Sequence, residues 1–208
     1  MPRRILILGA TGATGRHLLS KALEAGLDVT VFARDPTRVP NTPRIVKGDV
    51  TTKSPALAEA VRGQDAVISV LGRGNSLTSG ELFTTSMPLI VRAMDGERVR
   101  RLVVTSAFGV GATHADLPLL PRIFVATLLR DLYADKTRGE EAIHQSLLDW
   151  TIVYPTGLSN APATGRYRVG EHLPLRGFPT IPRADVADFL LRQLDDSTYI
   201  RKGVMISR

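Results

Sequence analysis

Two hydrophobic periods alternate along the chain. Ile5–Leu6–Ile7–Leu8 is an unbroken aliphatic run that stops at Gly9, and Leu18, Leu19, Ala22 and Leu23 then recur at the spacing of one helix face. Gly26 supplies a helix stop, and Val29, Val31 and Phe32 predict a second strand. Pro36, Pro40 and Pro43 mark a connector. Ile45–Val46 reads as a third short strand running into Gly48–Asp49–Val50, and Ala56 to Arg62 as a short helix. The stretch Ala66–Val67–Ile68–Ser69–Val70–Leu71 has few polar positions, which suits a parallel strand buried on both faces.

The second half continues the alternation. Leu82, Phe83, Met87, Ile90, Val91 and Met94 share a stripe and predict a helix over Gly80 to Met94. Arg101 to Ser106 is a fifth strand, followed by a loop with Gly109, Gly111 and Pro118. Ile123 to Leu147 reads as one long helix and Trp150 to Tyr154 as a sixth strand. From Ser159 to Pro182 the periodicity fades into proline, glycine and arginine, which predicts an irregular cap. Asp185 to Leu194 is a final helix, and Gly203 to Ile206 a closing strand. Strands alternating with helices imply an α/β fold: a doubly wound (Rossmann) parallel sheet with helices on both faces. The expectation is a single domain over residues 1–208, with 159–182 as a cap on the substrate side, over the carboxyl ends of the strands.

The turn after the first strand, Gly9–Ala10–Thr11–Gly12–Ala13–Thr14–Gly15, carries the first chemistry. Gly9 allows a sharp exit from the strand, Gly12 keeps a side chain out of the way of a pyrophosphate, and Gly15 lets the helix pack close. The helix that follows opens with free backbone N–H groups and a positive dipole end, an anion site. Its spacing is a variant of the dinucleotide fingerprint.

Composition narrows the picture. Lys and Arg number 27 against 20 acidic residues, net +7, but they are scattered without basic runs or interleaved aromatics, which argues against nucleic acid as the partner. There is no cysteine, which excludes a thiolate metal site, and the four histidines have no ligand-like spacing, so no metal is expected. Met1–Pro2–Arg3–Arg4 leads into a short strand and not an export signal, and no apolar run approaches the ~20 residues of a bilayer span. A cytoplasmic protein, monomer or homodimer, with a small-molecule acceptor and no membrane partner is the expectation.

The end of the second strand bears on the cofactor. An acidic residue there holds a ribose 2′-hydroxyl, whereas an arginine accommodates a 2′-phosphate. The chain has Arg34 before Asp35, with Arg38 beyond, so NADP(H) is expected ahead of NAD(H). Asp49 either accepts from an adenine amine or caps a turn. Leu71–Gly72–Arg73–Gly74 ends the fourth strand with two glycines that permit close backbone approach.

These stretches, with Gly48–Asp49–Val50, Thr105–Ser106–Ala107–Phe108 and Trp150–Thr151–Ile152–Val153–Tyr154–Pro155, resemble the NmrA-like NAD(P)H-binding group of atypical short-chain dehydrogenase/reductases, and within it the flavin and biliverdin reductases. The resemblance spans nearly the whole chain. It implies cofactor contacts from Gly9, Thr11, Gly12, Ala13, Thr14, Gly15, Arg34, Arg38, Asp49, Val50, Leu71, Gly72, Arg73, Thr105, Ser106, Lys136, Tyr154, Pro155 and Thr156, with Ser106 and Lys136 at the catalytic position. Tyrosine-dependent relatives place a tyrosine four residues before the lysine. Here that residue is Leu132, and Tyr133 would point about 100° away. The subgroup also has a histidine where Thr156 follows Pro155.

The expected activity is therefore NADPH-dependent hydride transfer to a planar conjugated acceptor such as a flavin (FMN), a biliverdin or a quinone. The alternative is a non-catalytic NADP(H) sensor. Phe108, His114, Arg166 and Tyr167 are candidates for the acceptor side, with the loop residues equally explicable as solvated. Lys136 either holds the nicotinamide ribose or is an exposed helix lysine. His17 and His144 read as surface or packing residues, and Trp150 as sheet packing.

Overall fold

The computed structural model describes residues 2–39, 44–74, 76, 78–117, 119–175 and 177–208. Pro40, Pro43 and Pro118 of the sequence reading lie outside the described residues. The elements run β1 (Arg4–Leu8), α1 (Ala13–Glu24), β2 (Asp28–Ala33), β3 (Arg44–Lys47), α2 (Pro55–Val61), β4 (Ala66–Ser69), α3 (Leu82–Gly96) and β5 (Arg101–Thr105). They continue through α4 (Leu119–Leu128), α5 (Arg130–His144), β6 (Asp149–Pro155), β7 (Gly157–Ser159), β8 (Arg168–Gly170), β9 (Thr180–Pro182), α6 (Arg183–Arg192) and β10 (Lys202–Ser207).

The main sheet has the order β3-β2-β1-β4-β5-β6-β10-β8, parallel throughout except for β8. The strand order reverses between β1 and β4, and in such sheets the crevice beyond the carboxyl ends at that point binds ligands. The alternation of the strands explains the two cores. Leu6, Leu8, Val67, Leu102 and Val104 point to the layer holding α2, α3 and α5, while Ile5, Ile7, Val29, Val31 and Val204 point to the layer of α1 and α6. Burying both faces requires the continuous apolar runs seen in β1, β4 and β5.

Two stretches depart from the expectations. The long helix over Ile123 to Leu147 is two helices, broken at Leu129 (φ −111°, ψ 10°). No proline or glycine marks the break. It is tertiary in origin: α4 brings Val125, and the break itself Leu129, to a cavity wall, whereas α5 stays packed along α3. The stretch from Ser159 to Pro182 is not irregular throughout. β8 joins the sheet antiparallel to β10, and β9 pairs with β7 in a small separate sheet. Their three-residue lengths are too short for a periodic signal.

α3 and α5 meet closely at Gly139, where an added Cβ would lie 2.7 Å from the Phe83 backbone. Beside that crossing the buried Asp135 accepts from the backbone N–H groups of Phe83 and Thr84, each at 2.9 Å, and so caps α3 from a neighbouring helix. Glu81, at the cap position itself, sits at φ 52° and makes no side-chain cap. Asp135→Ala is expected to cost about 3 kcal/mol, because a buried and a part-buried donor lose a shared carboxylate acceptor at once. A denaturant midpoint unchanged from wild type would refute that role.

Candidate functional site

Gly9 leaves β1 at φ +87°, a conformation L side chains rarely adopt, and a Cβ there would stand 2.7 Å from the Val70 carbonyl oxygen. Gly12 N–H closes the turn on Gly9 O at 3.0 Å, and Gly12 becomes the N-cap of α1 without any side-chain cap. The first N–H groups of α1 are thus left for an outside acceptor. A Cβ on Gly15 would meet Gly9 O at 2.1 Å, so this glycine sets how closely the helix approaches its own turn.

A cavity of about 820 Å³ opens at this end of the sheet, a size within the usual range for ligand sites. Gly12, Ala13 and Thr14 line one side of it, with Leu71, Gly72 and Arg73 after β4. Thr105, Ser106 and Phe108 follow β5, Lys136 projects from α5, and Pro155 and Thr156 end β6. Twelve sequence-nominated residues therefore share one cavity. Arg73, Lys136 and Arg183 are the charged residues among the lining positions. Apolar walls come from Leu117, Val125, Leu129 and Phe178. Thr105 Oγ1 is buried without a hydrogen-bond partner among the described residues. The sharp glycine turn, the uncapped helix start and this orphaned hydroxyl fit a dinucleotide lying along the carboxyl ends of β1, β4 and β5.

Other nominated residues lie elsewhere. Gly9, Thr11 and Gly15 shape the turn without lining the cavity. Val50 is buried in the core. Asp49 Oδ1 accepts from Thr51 N at 2.9 Å and Thr51 Oγ1 at 2.7 Å, the turn-capping reading, and these bonds hold its carboxyl below the usual range. Asp35 is likewise committed to its own turn, accepting from Thr37 Oγ1 at 2.6 Å and Thr37 N at 3.1 Å. Arg34 and Arg38 are exposed beyond β2.

Four positions differ from expectation. The Tyr154 ring is buried in the core, and its hydroxyl donates to Glu140 Oε2 at 2.9 Å, so it faces away from the cavity. Tyr167 packs on Phe189 in the opposite layer and donates to Asp188 at 2.9 Å, because β8 carries this stretch to the far edge of the sheet. Arg166 is exposed beside it. His114 is exposed in a short 3-10 turn over Gly111–Asp116, its Nδ1 3.4 Å from Gly109 O, and does not line the cavity.

Lys136 is not an exposed helix lysine. Its ammonium lies 3.7 Å from the Phe83 ring centroid, and burial lowers its pKa to about 8 despite the carboxylates of Glu140 and Asp135. Tyr133, which helical geometry turned away, lines the cavity after all and donates to Phe108 O at 3.0 Å. Loss of solvent pushes its phenol pKa up. Glu140 was not nominated. It is 1 % exposed and accepts from Ser106 Oγ at 2.5 Å as well as from Tyr154. Its one mark in the sequence is its place four residues beyond Lys136, one helical turn away. His17 is exposed, and the His144 ring lies tilted by 54° against Trp150 with centroids 5.0 Å apart.

No helix among the described residues is long and apolar enough to cross a membrane. An uncharacterised chloroplastic protein of Arabidopsis thaliana is 28% identical over 174 residues, 78% of this chain and 62% of its own length. The chain thus spans about three fifths of that relative. A short-chain dehydrogenase/reductase of Veillonella parvula in complex with NADP superposes with a TM-score of 0.82 at 20% identity, over 100% of this chain and 95% of the other. An anaerobilin reductase of Escherichia coli O157:H7 superposes with a TM-score of 0.78 at 20% identity, over 98% and 96%. These likenesses bear on the fold. The profile of the NAD(P)H-binding family matches residues 9–197, and the chain belongs to that family.

Proposed function

We propose that the chain is an NADPH-dependent oxidoreductase acting on a planar, conjugated acceptor of the flavin, biliverdin or quinone kind. The observation that carries this reading is one cavity shared by the uncapped start of α1 and by Ser106, Tyr133 and Lys136. When bound, the reduced dinucleotide supplies a hydride, and the rest of the work falls to the protein. Ala13 and Thr14 hold the pyrophosphate through backbone N–H groups while Gly12, its own N–H spent on Gly9, leaves the approach open, and Arg34 meets the 2′-phosphate, with Asp35 already engaged by Thr37. Thr105 Oγ1 gains the partner it lacks.

Phe108, Leu129 and Phe178 exclude water from the flat faces of the acceptor, and Arg73, Lys136 and Arg183 attract the phosphate or carboxylate of an acceptor that carries one, such as FMN. Because Lys136 loses its proton as pH rises through about 8, KM for FMN is expected to climb by a few-fold across that interval. Lys136→Met should abolish the climb; a variant that keeps it would remove Lys136 from acceptor binding. The reading as a whole is tested by following NADPH absorbance with FMN, riboflavin or menadione. Turnover no faster than the protein-free control with all three would reject it.

The second reading, a non-catalytic NADP(H) sensor, draws support from Tyr133, whose hydroxyl is occupied by the Phe108 carbonyl. It calls for saturable binding without turnover, and for a protein partner captured or released when NADP+ is added.

A further inference from the structure

Ser106 forms part of the cavity wall, and directly behind it lies a carboxyl group without access to solvent. Glu140 Oε1 is 2.5 Å from Ser106 Oγ, and Oε2 is 2.9 Å from the Tyr154 hydroxyl. The loop after β5 closes over it so tightly that a Cβ on Gly111 would stand 2.8 Å from Oε2. The titratable and charged groups facing it are Tyr154 from β6 and Lys136 one turn earlier on its own helix, with Asp135 acting on Lys136. The other phenol at the cavity, Tyr133, donates to a backbone carbonyl.

We propose that Glu140 is the proton reserve of the site and that it delivers its proton to the reduced acceptor through the Ser106 hydroxyl. The proposal rests on the reductase reading above. With a proton on Oε1 the short contact runs in reverse: the carboxyl donates to Ser106 Oγ, and the hydroxyl hydrogen is released toward the cavity. Burial favours that state, pushing the Glu140 pKa up against the opposing pull of Ser106, Tyr154 and Lys136.

The balance is complete. The hydride that bound NADPH would supply, itself becoming NADP+, would leave negative charge on an acceptor oxygen or nitrogen. The Ser106 O–H bond breaks as a hydrogen bonds to that atom, and Ser106 takes the Glu140 proton. The resulting carboxylate is held by the Tyr154 hydroxyl and faces the Lys136 ammonium until water entering the cavity after product release returns a proton through the Ser106 hydroxyl. Ser106 touches the acceptor, whereas Glu140 acts through it as a positioning residue.

Glu140→Gln keeps the volume and both contacts but has no acidic proton. With menadione or FMN as the acceptor, its kcat is expected to fall roughly 100-fold, with KM and NADP+ affinity within about twofold of wild type. The wild-type kcat should fall as rising pH ionises the carboxyl, and the variant should lose that slope. Ser106→Ala should show the same fall, and the double variant no further loss.

A readout independent of turnover is the infrared stretch of a protonated carboxyl. It should be present in wild type at the assay pH, shift in deuterium oxide and vanish in Glu140→Gln. If that band is missing, the proposal is overturned whatever the kinetics. A wild type that turns over while Glu140→Gln keeps its kcat and pH slope overturns the proposal and leaves the reductase reading intact. A wild type inactive with FMN, riboflavin and menadione removes that reading, and this proposal with it.

Discussion

Gly15→Val is expected to abolish NADP(H) binding and to lower stability by at least about 3 kcal/mol, the upper end of what overpacking a tight site costs. The reason is geometric: a Cβ at this position would lie 2.1 Å from Gly9 O and 2.8 Å from the Ala10 Cα, and both neighbours are backbone. Neither can rotate out of the way as a side-chain tip would. The turn must open, and opening it tilts the first N–H groups of α1 away from the cavity. In thermal unfolding the loss corresponds to about 6–12 °C for a chain of this length. A Gly15→Val protein that melts with wild type and still binds NADP+ in calorimetry would show that the turn does not grip a diphosphate.

Arg34→Ala is expected to weaken NADPH binding by roughly 10- to 100-fold, the equivalent of about 1.5–3 kcal/mol for hydrogen bonds to a charged group. NADH binding should stay unchanged. Two carboxylates near the end of β2 bear on this discrimination. Asp35 is bound to Thr37 and Asp49 to Thr51, so neither presents both oxygens freely to a ribose 2′-hydroxyl. Because Arg34 is exposed, the difference between the cofactors should shrink as salt is added. If the two dissociation constants moved together in Arg34→Ala, the 2′-phosphate assignment would fall.

How much of this could be read from residues alone depends on whether the determinant was local. The first turn was legible because strand, glycines and helix follow one another within Ile5 to Arg16, and Gly12 and Gly15 answer to contacts inside that span, while Gly9 is marked by its positive φ. The parallel sheet was legible because strands buried on both faces need unbroken apolar runs. The break at Leu129 was not, since nothing in Leu128–Leu129–Arg130 disfavours a helix. What divides α4 from α5 is the competing demand of a cavity wall and of α3. Glu140 was hidden for a related reason. The buried stripe of α5 is Asp135, Gly139, Glu140 and Ile143, three of them invisible to a search for hydrophobic periodicity. Each acid is buried because of a partner far away in sequence, the amides of Phe83 and Thr84 for Asp135, and Ser106 with Tyr154 for Glu140. Tyr154 and Tyr167 were misplaced because alternation along a strand fixes a face only once the register is known.

The strand that reverses direction at the outer border has a bearing on how copies of this protein meet. β8 covers β10 with only three residues, Arg168–Val169–Gly170, and it carries an exposed guanidinium. A border so short and charged is a poor template for another chain's backbone, the device by which many β proteins resist uncontrolled aggregation. Growth of the sheet from one molecule into the next is therefore disfavoured on this flank, which leaves the opposite border at β3 and the helical surfaces for any self-assembly.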